Sequence, residues 1–185
     1  EIGIYKYDIF NNGYRIGEQL IEIKKNNEMT FLFKSNIKTF YGNEETSIIF
    51  MENNYEPLII HNVKTNGSDK EIIDVSYMYP NKFCIRNGSK ERILWFTGRL
   101  YNKLQILFLL HNLYKVSKPF NMKCLNIFIP EALNIIPIAV KSSNSSNKKF
   151  IYYLWQPHYT VSEYDENDHL LLYYNDNKTI IERVY

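Results

Sequence analysis

The sequence predicts a mainly β protein: a curled antiparallel meander forming a half-barrel or open barrel, with one central helix against its concave face. Three observations predict this. The 185 residues hold 24 Ile, 16 Tyr and 11 Phe but only 2 Ala, and Ala is the strongest helix former whereas Ile and aromatics favour strands. Apolar and polar residues alternate with a period of two through most of the chain. Turn signals recur along its length, so consecutive strands pair with their neighbours. A sheet of that many strands must curl or close. The length fits a single β-rich domain over 1–185, since domains run to about 100–200 residues.

The elements follow in order. Residues 2–10 alternate, with Tyr5, Tyr7 and Ile9 on one parity, and end at Asn11-Asn12-Gly13. Asn-Gly is a strong hairpin signal because both residues tolerate positive φ. A second strand runs from Tyr14 to Ile23, and Met29, Phe31 and Phe33 mark a third. Ser47 to Met51 and Leu58 to Val63 form the fourth and fifth, separated by the turn around Pro57. Ile72 to Tyr79 alternates, with Ile73, Val75, Tyr77 and Tyr79 expected on one face. Phe83 to Arg86 and Ile93 to Thr97 flank a further Asn87-Gly88 turn.

Residues 99–115 break the rhythm. Leu100, Leu104, Leu107, Phe108, His111 and Tyr114 recur at helical spacing, and Pro119 lies beyond. This predicts the single helix, a lid or plug on one sheet face. Strands then resume at Met122–Ile129, Ile135–Val140, Phe150–Gln156, Tyr159–Tyr164, Leu170–Tyr174 and Thr179–Val184. The Ser- and Asn-rich stretch Lys141–Lys149 reads as a flexible hairpin tip.

Function is less marked. The formal net charge is +2, with 22 basic against 20 acidic residues, which is not the basic field of a nucleic-acid binder. No apolar run approaches the roughly 20 residues of a membrane-spanning helix. Phosphate loops, Gly-x-Ser-x-Gly, His-Glu-x-x-His and Cys-x-x-Cys are absent, so no cofactor and no metal are expected. Neither His61, His111, His158 nor His169 stands at metal-ligand spacing from another. Asp165, Glu166 and Asp168 read as a polar turn, with a cation site or acid–base pair as the alternative. Cys84 and Cys124 are either a disulfide or two buried thiols. Sequons at Asn66, Asn87, Asn144 and Asn177 are within what 22 Asn produce by chance.

The aromatics carry the functional expectation. Trp95, Phe108, His111, Tyr153 and Trp155 are the candidate ligand-binding residues, lining an apolar pocket if the curled sheet is not packed solid. The expected partner is an apolar small molecule or a lipid. An enzyme shaping an apolar or aromatic substrate, with His111 or Arg99 as its polar group, and an envelope protein that binds a partner through an open strand edge are the alternatives.

The motif Tyr7-Asp8-Ile9-Phe10-Asn11-Asn12-Gly13-Tyr14-Arg15-Ile16-Gly17-Glu18 resembles the start of uncharacterised secreted proteobacterial proteins. Tyr55-Glu56-Pro57-Leu58 and Tyr164 to Leu170 resemble two of their later elements, in the same order. The resemblance implies a fold similar to the lipoprotein-carrier half-barrel and a periplasmic or secreted location, with a leader removed ahead of Glu1. It implies no catalytic residues, although one relative by fold is an enzyme.

Overall fold

Asn12 and Gly13 both adopt positive φ, 50° and 82°, so the first hairpin closes as the sequence requires. It joins β1 (Gly3–Asn11) to β2 (Tyr14–Lys25). At the later Asn-Gly pairs the turn shifts by one residue. Asn66 and Asn87 are the last strand residues, and Gly67-Ser68 and Gly88-Ser89 form the turns, each Gly at positive φ. These turns join β5 (Pro57–Asn66) to β6 (Asp69–Met78) and β7 (Lys82–Asn87) to β8 (Lys90–Trp95). Between them lie β3 (Thr30–Thr39) and β4 (Gly42–Met51), joined by Phe40 and Tyr41.

The computed structural model describes residues 2–53, 56–78, 82–96, 100–102, 123–129, 134–145, 148–155, 158–165, 170–175 and 179–184. The remaining described strands are β9 (Leu100–Asn102), β10 (Lys123–Ile129), β11 (Asn134–Ser145), β12 (Lys148–Trp155), β13 (His158–Tyr164), β14 (Leu170–Asn175) and β15 (Thr179–Val184). All belong to one sheet, ordered β8-β7-β6-β5-β4-β3-β2-β1-β15-β14-β13-β12-β11-β10-β9. Every described pairing is antiparallel except β9 with β10, which is parallel. The first and last strands therefore pair, Ile9 opposite Ile181, and the two sheet edges come from mid-chain. The sheet is open and curled: β9, at one edge, comes back against β5 in the opposite half.

One face is apolar and buried. Tyr7, Ile9, Ile21, Ile23, Phe33, Ile48, Phe50, Ile60, Ile73, Val75 and Ile85 lie there, on alternate positions of seven strands. The registers align them: Ile23 faces Phe33, Phe33 faces Ile48, Ile48 faces Ile60, Ile60 faces Val75 and Val75 faces Ile85. Bulges at Ile9/Phe10 and Ile49/Phe50 keep the faces in phase while bending the sheet.

Three expectations change. Leu100 to Asn102, placed at the start of the helix, pair with Asn126 to Phe128 as a strand, so their backbone groups are satisfied by the ladder. The rest of the 99–115 helix lies outside the described residues, as does Tyr79. Lys141 to Ser145, expected in a flexible tip, continue β11 and pair with Lys148 to Tyr152. Backbone pairing does not require apolar side chains, and the composition signal missed it. Tyr77 shares a face with Ile73 and Val75 but is exposed, because it stands at the rim of the sheet.

Candidate functional site on the inner face

The buried face is graded along the strand direction. At the end nearest the β2–β3 and β4–β5 connections it is aromatic. Phe31 and Phe50 stack with centroids 5.7 Å apart, and Tyr77 and Phe83 meet at 5.1 Å. Lys25 Nζ sits 4.8 Å from the Phe31 ring, which places a cation at that rim. Phe33 and Ile48 come next and are wholly buried.

One register step further, the same face turns polar. Ser35, Thr46 and Asn62 stand side by side on β3, β4 and β5, and all are buried. Gln19 Nε2 donates to Ser35 Oγ at 2.9 Å, and Asn62 Nδ2 donates to Thr46 Oγ1 at 2.9 Å and to Glu44 Oε1 at 2.8 Å. Buried amides and hydroxyls are costly unless paired, and here they pair with one another. Beyond the belt, Ile37, Glu44 and Lys64 are partly exposed, with Lys64 Nζ 3.8 Å from Glu44. Among the described residues, Phe33, Ile48 and Phe50 of this face are buried, and Ile37, Glu44 and Lys64, toward the β1–β2 and β3–β4 turns, are partly exposed. On the other half of the sheet, Ser162 is fully buried and its Oγ has no hydrogen-bond partner among the described residues.

Of the aromatic and histidine candidates, Trp95 is described with its side chain, and Tyr153 and Trp155 by their backbone pairing. Trp95 lies on the outward face of edge strand β8, 68% exposed, with Lys82 Nζ 4.3 Å above its ring. Its parity opposes Leu94, which pairs with buried Phe83. Tyr153 pairs in register with Val140 and Thr160, and Trp155 with His158. Phe108, His111 and Arg99 lie outside the described residues. Cys84 is a buried free thiol on β7, while Cys124 is on β10, far from it in strand order. The polar belt went unread in the sequence. Its only signal was Gln19, Ser35 and Asn62 at positions where strand alternation calls for apolar side chains.

The outward face carries a ladder of charge. In one register row Glu22, Lys34, Ser47, His61, Asp74, Arg86 and Glu91 cross seven strands. His61 Nδ1 and Asp74 Oδ1 are 2.5 Å apart, and Arg86 Nε donates to Glu91 at 2.8 Å. That hydrogen bond raises the Arg86 pKa above its ordinary value. An open groove of about 250 Å³ lies beside Leu20, Glu22, Lys34 and Glu45 on this face. No group of three metal-ligating side chains occurs among the described residues.

This arrangement defines a mainly β, barrel-like protein: one open, curled sheet with an inward apolar face. It is similar in fold to the crystal structure of a β-barrel-like protein of a domain of unknown function, DUF1849, from Brucella abortus. The two share 11% sequence identity at a TM-score of 0.62, covering 98% of this chain and 94% of that one. No family model and no curated protein matches the sequence.

Proposed function

We propose that the protein is a non-enzymatic binder of an amphiphilic, lipid-like ligand in the cell envelope, periplasmic or secreted. The observation that carries this reading is the gradient of the inner face. The aromatic end has the chemistry that suits an acyl or aromatic body, with part-exposed Phe31 at its surface and Phe33, Phe50 and Phe83 packed behind it. The part-exposed Glu44 and Lys64, beside the Gln19–Ser35–Thr46–Asn62 belt, suit a polar head. A ligand that is apolar at one end and polar at the other follows that gradient. The resemblance of residues 7–18 to secreted proteins with a lipoprotein-carrier-like half-barrel supports the same reading and the envelope location.

Native mass spectrometry of the gently purified chain tests it. The expected result is a bound species of lipid mass, and uptake of a fluorescent fatty acid after delipidation. A bare chain that takes up no probe overturns the reading.

One observation favours a second reading, docking of a protein partner. Ile59, Met78, Ile93 and Trp95 are exposed on the outward face between β5 and β8, and β8 has no second partner strand among the described residues.

A further inference from the structure

The β3–β4 turn is chemically out of place. Two-residue hairpin turns favour Gly, Asn and Asp at their centres, because those residues accept the backbone and the exposure. Here the centre is Phe40-Tyr41, 83% and 70% exposed. Neither residue takes positive φ. The turn is built deliberately around them. Tyr41 N donates to Thr39 Oγ1 at 3.2 Å, and Thr39 Oγ1 donates to the Gly42 carbonyl at 3.0 Å. The Phe40 amide donates to the Ile16 carbonyl at 3.2 Å, which ties this tip to the start of β2. Gly42, at φ 153°, lies so close to Thr65 that a Cβ would stand 2.3 Å from its carbonyl oxygen, so the tip is also pressed against β5.

A third exposed aromatic completes the edge. Tyr14 opens β2 directly after the Asn12-Gly13 turn and is 76% exposed. Two adjacent hairpin tips thus present Tyr14, Phe40 and Tyr41 at one end of the sheet. Basic residues flank them: Arg15, paired with Asp8 at 2.8 Å and Glu18 at 3.7 Å, and Lys38, which makes no ion pair among the described residues. The part-exposed Ile37, Glu44 and Lys64 of the inner face lie toward this same end.

We propose that these tips dock on the surface of a lipid bilayer, with Phe40 and Tyr41 inserted at the headgroup level and Tyr14 beside them. Aromatic side chains with an apolar body and, in Tyr, a polar handle favour the membrane interface over water. Lys38, the flanking cation without a carboxylate partner among the described residues, then faces anionic headgroups, which attract basic residues at the surface. Three exposed rings on ordered turns lose little conformational freedom on insertion, which makes rigid tips effective anchors. The docking stands on the tips alone and does not depend on a ligand inside the sheet.

The test is co-sedimentation of the full chain with phosphatidylcholine vesicles, with and without phosphatidylglycerol. The wild type is expected to partition onto vesicles, more strongly with phosphatidylglycerol. The double variant Phe40→Ser, Tyr41→Ser is expected to lose about tenfold or more in partitioning. Its urea midpoint should stay unchanged, since both side chains are exposed. Lys38→Glu should lower binding only to the anionic vesicles. A wild type that stays in the supernatant at every composition overturns the proposal. So does a double variant that binds as well as the wild type, or one whose only loss is a self-association seen without vesicles.

Discussion

At the residue scale, single positions carry the shape of the sheet. Gly17 lies opposite Ile9 and Thr39, and a Cβ built on it would stand 2.1 Å from the Lys38 carbonyl oxygen. The obstacle is backbone, so β2 and β3 must separate to admit it. Gly17→Ala is therefore expected to cost about 1–3 kcal/mol in urea unfolding, as overpacked positions do. A midpoint equal to wild type would show that the strands part without strain. Glu22 makes the electrostatic counterpart on the outward face. The hydrogen bond from Lys24 Nζ at 2.9 Å holds its carboxyl below the usual carboxylate range, and the charges of Lys24 and Lys34 act the same way while desolvation opposes. A depressed carboxyl pKa contributes stability that is full above the unfolded value of about 4.3 and is lost as pH falls through the folded one. The pair is exposed, so its contribution to stability is small. Carbon-detected NMR titration should show the Glu22 midpoint rising in Lys24→Met, and a midpoint that does not move rules Lys24 out as the cause.

At the element scale, the strands and hairpins were legible and their extents less so. Alternation located the strands because burial on one face fixes a period of two. Tyr7 and Ile9, Ile21 and Ile23, Ile73 and Val75 follow it and are buried. The first half of β4, Gly42 to Thr46, reads Gly-Asn-Glu-Glu-Thr and carries no apolar signal; pairing with β3 and β5 makes it strand. The polar belt is a property of four strands in register, so no single segment announces it. Asn62 ties β4 and β5 together through Thr46 and Glu44. Asn62→Ala leaves both acceptors without their donor and is expected to cost about 1–3 kcal/mol. Equilibrium denaturation checks this, and a loss within error of zero would mean the belt is already solvated.

At the scale of the whole molecule, the meander is closed by contacts that lie far apart in sequence. β1 and β15 pair along Lys6 to Asn11, joining the two ends of the described chain. Nothing in either strand specifies the other, since each reads only as an alternating apolar segment. The same holds for the return of β9 against β5 and for its parallel pairing with β10. Leu100-Tyr101-Asn102 fits a helical repeat on paper, and the free edge of β10 decides otherwise. Trp95 illustrates the same limit at the candidate site. Its aromatic character suggested a pocket, but its parity on β8 turns it outward.

The sequence by itself determined the mainly β class, most of the strands and the places of the hairpins. Those depend on local facts: positive φ at Asn12 and Gly13, a period of two, and the scarcity of Ala. Only the tertiary structure decided which face each aromatic occupies and how the inner face grades from Phe31 and Phe50 to Ser35 and Asn62. It alone set Tyr14, Phe40 and Tyr41 at one end of the sheet. Those features arise where separate strands meet in register, and register across non-neighbouring strands is settled by burial of the whole sheet rather than by any one segment.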